Sequence, residues 1–245
     1  MSKRRPTKSD SLAFMAPLLL ILYLCIGFVP NWQAVDKIAP QWLVMSILNL
    51  VSLSYFINIR KSILGALTLN LKSKLTLTYI GFIVWALASL AYAINPTEVF
   101  VNLARQLNVF LMFFSMTILS YELKNKMSFL SWVVTLILAV EVYAVLNEAL
   151  QMINTSGIIS SGTLKGVTAN RNITAFSIAI KIPFVLFLIH RIKKNSLKLI
   201  LGVLVSAGLI ALSMIQSRAS FVAIGFTSLA YLGLNIVLYL KDKKN

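Results

Sequence analysis

Three arginines stand at breaks between strongly apolar stretches. Arg105 follows Asn95-Pro96-Thr97-Glu98, Arg171 lies in Ala169-Asn170-Arg171-Asn172, and Arg218 lies in Gln216-Ser217-Arg218-Ala219-Ser220. A guanidinium keeps its charge and presents a planar fork to two oxygens at once, so arginines at one depth suit a phosphate or diphosphate. Helices starting after Asn170 and Ser217 would add oriented N–H groups and a favourable dipole. The bland reading is an interfacial anchor whose head rests among the lipid headgroups. For Arg218, crowded between Gln216, Ser217 and Ser220 in a tight turn, the ligand reading is the better one.

A second anomaly is Lys181, in the middle of Ala179-Ile180-Lys181-Ile182-Pro183. A charge within an apolar span costs several kcal/mol unless it is paired or hydrated. Its candidate partners are Glu141 and Glu148, seven residues and therefore two turns apart on one helix face. A structural Lys181–Glu141 ion pair is the expected arrangement. The one histidine, His190, sits beside Arg191 at a helix end, and the one cysteine, Cys25, lies inside the first apolar block. Metal-ligand clusters, triad spacings and phosphate-binding glycine loops are all missing from the pattern, so neither a metal nor another cofactor is expected.

The elements that must position these residues are apolar blocks. Of the 245 residues 58% are hydrophobic and 12% charged, with a mean hydropathy of +0.84, too little polar surface for a soluble domain of this size. The blocks have the length that crosses about 30 Å of hydrocarbon at roughly 1.5 Å per residue. They fall at about 12–30, 40–58, 75–94, 106–121, 129–150, 172–190, 198–215 and 221–240. No barrel-like alternation is visible, and a backbone in lipid must satisfy its own hydrogen bonds, so these are helices. The expected fold is all-α: a polytopic transmembrane bundle of about eight spans forming a single membrane domain over residues 1–245. The basic N-terminal stretch before Leu12 reads as the flank of an uncleaved first helix, since no short apolar region ends at a small-residue cleavage site.

The net charge of +16 sits in short loops without a nucleic-acid-binding motif, which argues for a bilayer partner and against nucleic acid. Loops on one expected side carry 17 basic residues, from Lys3 to Lys244, and those on the other carry five: Lys37, Arg105, Lys165, Arg171 and Arg218. The excess marks the first side as cytoplasmic, with both termini there. The five exceptions lie where positive charge is disfavoured.

Gly166-Val-Thr-Ala-Asn170-Arg171-Asn172, followed by an apolar helix with an internal Pro183, resembles the glycine-asparagine segment of bacterial O-antigen ligases and O-antigen polymerases. Gln216-Ser217-Arg218-Ala219 is similar to that family's Ser-Arg-Gly signature, with alanine in place of glycine, and Asn95-Pro96 with Arg105 to its early outer segment. The likeness is clearest over residues 160–240. It implies a multi-pass glycosyltransferase of the bacterial inner membrane, serving polysaccharide or lipopolysaccharide biosynthesis. A glycan would pass from an undecaprenyl-pyrophosphate donor to another glycan or a lipid A-core acceptor on the periplasmic face, with no metal or nucleotide sugar. By motif match Arg218 would stabilise the diphosphate, while Arg171, Arg105, Asn170, Asn172 and Ser217 would contact the substrate. Family members carry a further periplasmic loop with a histidine base. Here the sequence ends at Asn245 and His190 falls on the cytoplasmic side, so the resemblance implies a donor-binding portion without its general base.

Two other classes compete with this reading. A carrier or flippase of lipid-linked glycans would place Lys181 and Glu141 in a central pathway, with broken helices near the midplane. A membrane scaffold would splay the arginines towards headgroups.

Overall fold

The computed structural model describes residues 14–30, 32–36, 38–160, 163–168, 170–218, 221–222, 224–226, 228–229 and 232–233, the side chains of Lys61 and Ser62 excepted. Every regular element among them is helical: α1 (Met15–Leu24), α2 (Ala39–Asn58), α3 (Arg60–Leu71), α4 (Lys74–Ala88), α5 (Pro96–Tyr121), α6 (Lys126–Ser156), α7 (Arg171–Arg191) and α8 (Asn195–Ile215). Six of these, α2, α4 with its 3-10 continuation to Ala91, and α5 to α8, are long and apolar enough to cross a membrane. The protein is an all-α polytopic bundle. Of the eight expected spans, the first is represented by the short α1 with a 3-10 turn at Ile26–Phe28, and the eighth, 221–240, lies largely outside the described residues.

The chain divides into two compact units, Met1–Lys126 and Met127–Asn245. In the first, α5 is the central helix, and α1, α2, α3 and α4 all pack on it. Apolar surface alone gives helices in lipid no reason to associate, so interhelical hydrogen bonds and close packing decide their partners. Here the buried Tyr23 hydroxyl of α1 donates to Asn49 Oδ1 of α2 at 2.8 Å, with Ser52 Oγ 3.0 Å away. Asn49 Nδ2 donates to the Asn108 carbonyl of α5 at 2.9 Å, and Asn108 Nδ2 returns to Ser46 Oγ of α2 at 2.9 Å. Tyr79 of α4 meets Phe110 of α5 edge-on at 5.2 Å, the favoured geometry for two aromatic quadrupoles.

Two features depart from the expected spans. Residues 60–71, read as part of a basic loop, form α3, whose length of about 18 Å is too short to cross. Its last turn is fastened by buried Asn70, which accepts from Thr76 Oγ1 at 2.9 Å and lies 3.4 Å from the Phe114 carbonyl. The expected span at 106–121 begins ten residues earlier, at Pro96. Asn95 accepts from the Glu98 N–H at 3.3 Å, Pro96 opens the first turn and Glu98 adds negative charge there, three start signals in four residues.

The second unit holds α6, α7 and α8 around one core. Leu138, Val142, Val145 and Ala149 from α6 meet Ala175, Ile178, Ala179 and Val185 from α7 and Ala211, Leu212 and Ile215 from α8. Alanines on facing helices let the backbones approach closely. Helix α7 continues through Pro183 without interruption. Outside the core, α8 exposes Leu199, Ile200, Val203 and Ile210, and in the first unit α4 exposes Leu75, Phe82, Val84 and Trp85. Such apolar exteriors match a lipid environment.

Candidate functional site

The segment entering α7 is held from several directions. Leu164 is fully buried in the core of the second unit. Immediately after it, the backbone N–H groups of Lys165 and Gly166 donate to Glu148 Oε2 of α6 at 3.0 and 2.8 Å. Thr174 of α7 donates to the Lys165 carbonyl at 2.5 Å and lies 2.7 Å from the Thr168 hydroxyl. Gly166 has φ +55°, and a Cβ there would lie 2.9 Å from Thr174 Cγ2 and 3.0 Å from Val145 Cγ2. Both the left-handed backbone and the lack of space call for glycine. Asn170 then caps α7, its Oδ1 accepting from the N–H groups of Asn172 and Ile173 at 3.0 and 3.4 Å.

The other candidate segment arrives from the end of α8. Gln216 adopts a left-handed conformation, φ +53°, that ends the helix, and its N–H donates to the Leu212 carbonyl at 3.2 Å. Ser217 follows, nearly fully buried, and its hydroxyl donates to Asn172 Oδ1 at 3.1 Å. Two motifs 45 residues apart in sequence thus meet at the N-terminal end of α7. The side chains of Lys165, Arg171 and Arg218 in these segments are exposed, and no carboxylate among the described residues pairs with them. The result is a local excess of positive charge beside a helix N-terminus. Such an arrangement can hold an anion.

Lys181 and Glu141 lie along the same helices, away from that end. Lys181 Nζ is 2.8 Å from both carboxylate oxygens of Glu141, and Ser177 Oγ donates to Glu141 Oε1 at 2.8 Å while also contacting Lys181 Nζ. The pair is strongly buried, with side-chain exposures of 15% and 7%. Glu148, the alternative partner in sequence, is engaged by the 165–166 backbone instead. His190 is in the last turn of α7, the opposite end from Arg171.

Arg105 belongs to the first unit. Its Nη2 forms an ion pair with Asp36 Oδ2 at 2.9 Å, and its guanidinium sits 5.9 Å from the centre of the Trp42 ring. Its charge is therefore compensated, unlike that of Arg171 and Arg218. Sequence reasoning missed three residues: Asp36 as the Arg105 partner, Glu148 as the clamp on the loop, and Lys165 as a third cation beside Arg171. Lys165 carried a signal, being one of the five basic residues on the sparse side. Asp36 and Glu148 carried none, because both act across long sequence separations.

No group of three histidine, cysteine, aspartate or glutamate side chains placed to hold a metal occurs among the described residues. Fold and composition together define a multi-pass membrane protein of helical-bundle class. Comparison with protein-family models, curated proteins and solved structures finds no match.

Proposed function

We propose that this chain forms the donor-binding part of an O-antigen ligase-like or polymerase-like glycosyltransferase of the bacterial inner membrane. It would hold an undecaprenyl-pyrophosphate-linked glycan at the N-terminal end of α7, for transfer to a glycan or a lipid A-core acceptor. The observation that carries this reading is the Ser217–Asn172 hydrogen bond of 3.1 Å. It joins the two segments on which the family resemblance rests and places Arg171 and Arg218 in neighbouring turns. The 17-to-5 distribution of basic residues assigns that end to the periplasmic side and the termini to the cytoplasm.

The chemistry follows from charge. As the sugar C1–O bond to the diphosphate breaks, negative charge grows on the departing phosphate oxygens. Guanidinium groups fixed at that point favour the transition state over the ground state. Arg218 and Arg171 take this role, with Lys165 as a more mobile point charge. Arg105 is left out of it, since Asp36 already neutralises it. Asn170 is committed to capping α7, so it fixes the helix start that the diphosphate meets. Asn172 and Ser217 tie the two segments together.

Binding of an undecaprenyl-pyrophosphate analogue to the purified chain in detergent tests this reading. Wild type is expected to bind, and Arg218→Ala to weaken binding at least tenfold, about the 1.4 kcal/mol of a charge-assisted phosphate contact. Equal affinity of wild type and mutant, or no binding by wild type, overturns the assignment.

A further inference from the structure

The turn between α7 and α8 gathers Arg191 at the end of α7, Lys193 and Lys194 in the connecting segment, and Lys198 in the first turn of α8. No carboxylate among the described residues pairs with any of these four cations. The described acids of the second unit are engaged elsewhere, Glu141 by Lys181 and Glu148 by the 165–166 backbone. Arg191 leans on the Phe187 ring, 6.0 Å from its centre. From Lys198 an open groove of about 600 Å³ runs along α8, lined by Asn195, Lys198, Leu199, Gly202, Val203 and Ser206. Its mouth is polar and basic, and its far part is small or apolar, with Leu199 and Val203 exposed along it. Gly202 makes the depression. A Cβ there would meet nothing within 4 Å, whereas at Gly208 it would touch Ile178 Cγ2 and Val142 Cγ2 at 3.8 Å. Glycine weakens a helix interior, and packing within the chain explains its presence at 208 but not at 202. The Asn195 amide and the Lys198 ammonium have no partner among the described residues.

We infer that this groove binds an anionic phospholipid, with its phosphate at Lys194, Lys198 and the Asn195 amide and an acyl chain lying over Gly202. Lys194 and Lys198 are one turn apart, so both reach the mouth from one side of the helix. Charge selects the occupant. A second copy docking through α8 in the same membrane orientation would bring like charges together at the mouth, and a zwitterionic lipid carries a cation of its own. An anionic headgroup compensates the cluster, and the missing side chain at 202 lets the acyl chain approach the helix backbone. Ile224, Ser228 and Leu232 lie along a different part of α8, beside Val205 and Leu209, and leave this groove open. The site is at the opposite ends of α7 and α8 from Arg171 and Arg218 and uses neither, so it does not rest on the glycan reading.

Native mass spectrometry of the full chain in a neutral detergent tests it, with phosphatidylglycerol or phosphatidylcholine of identical acyl chains added. Wild type is expected to retain phosphatidylglycerol about fivefold or more in preference, at least the effect of one basic residue at an anionic surface. Lys194→Gln with Lys198→Gln is expected to remove most of that preference. Gly202→Leu is expected to weaken it while keeping every charge, since the fold has room for the new side chain. Arg60→Gln with Lys72→Gln, an equal loss of charge in the first unit, is expected to leave it unchanged, and excess inorganic phosphate is not expected to displace the lipid. Melting in detergent confirms that each variant is folded. Arg218→Ala keeps phosphatidylglycerol, so this assignment and the donor site fail separately. No preference in wild type, equal losses in the two double variants, full retention by Gly202→Leu, or displacement by inorganic phosphate overturns the inference.

Discussion

Lys181 shows how a single residue type sets a structural requirement. An ammonium group buried on α7 must be matched, and Glu141 matches it with both oxygens at 2.8 Å while Ser177 satisfies what remains. The contact is closed on itself, which supports a packing role. Removing one partner strands the other: Glu141→Leu is expected to destabilise the protein by about 3–5 kcal/mol, whereas Glu141→Leu with Lys181→Met recovers most of that loss. Thermal unfolding of the detergent-solubilised single and double variants checks it. A double variant as unstable as the single one would assign Lys181 a role beyond pairing. The partner was legible in the sequence because helix periodicity leaves few acids at matching depth. Depth pointed to Glu141 over Glu148, but the occupation of Glu148 by the 165–166 backbone was not legible, since that segment is irregular.

At the scale of elements, α5 organises the first unit through one amide. Asn108 bonds to two stations on α2, and through Asn49 it is linked to Tyr23 on α1. Asn108→Leu is expected to cost about 1–2 kcal/mol by removing the side-chain bonds of Asn108 to Asn49, Ser46 and the Trp42 carbonyl, while Asn49 keeps the main-chain carbonyl of residue 108. A lowered melting temperature in detergent is the readout, and an unchanged one would show that packing alone holds α1, α2 and α5 together. The start of α5 was written in Asn95-Pro96-Thr97-Glu98, yet hydropathy placed it ten residues late because the first turns are polar. Helix α3 was missed for a related reason: its basic flanks suggest a loop, and only its packing on α5 reveals a helix.

For the whole molecule, orientation is the property with most consequence for function. By the charge asymmetry, the two ends of α7 are expected on opposite sides of the membrane. In a chain carrying Cys25→Ala, a cysteine replacing Lys165 is expected to react with an impermeant thiol reagent added outside intact cells. One replacing Lys193 is expected to react only after permeabilisation. The reverse pattern would invert the topology and move the Arg171–Arg218 segments to the cytoplasmic side, where a periplasmic transfer reaction has no access to them.

Composition, block length and the lack of barrel-like alternation determined that this is an all-α membrane protein, because a chain with so little polar surface is stable in lipid and apolar blocks of that length satisfy their backbone there as helices. The candidate cations were also legible, since arginine between apolar blocks is costly wherever it serves no purpose. Tertiary structure decided which of their segments meet. It joined Asn172 to Ser217, gave Arg105 to Asp36 and clamped Gly166 with Glu148. Each of these contacts spans between 18 and 69 residues of chain. Helix periodicity predicts neighbours within a few turns, but pairings at such separations depend on how whole helices pack.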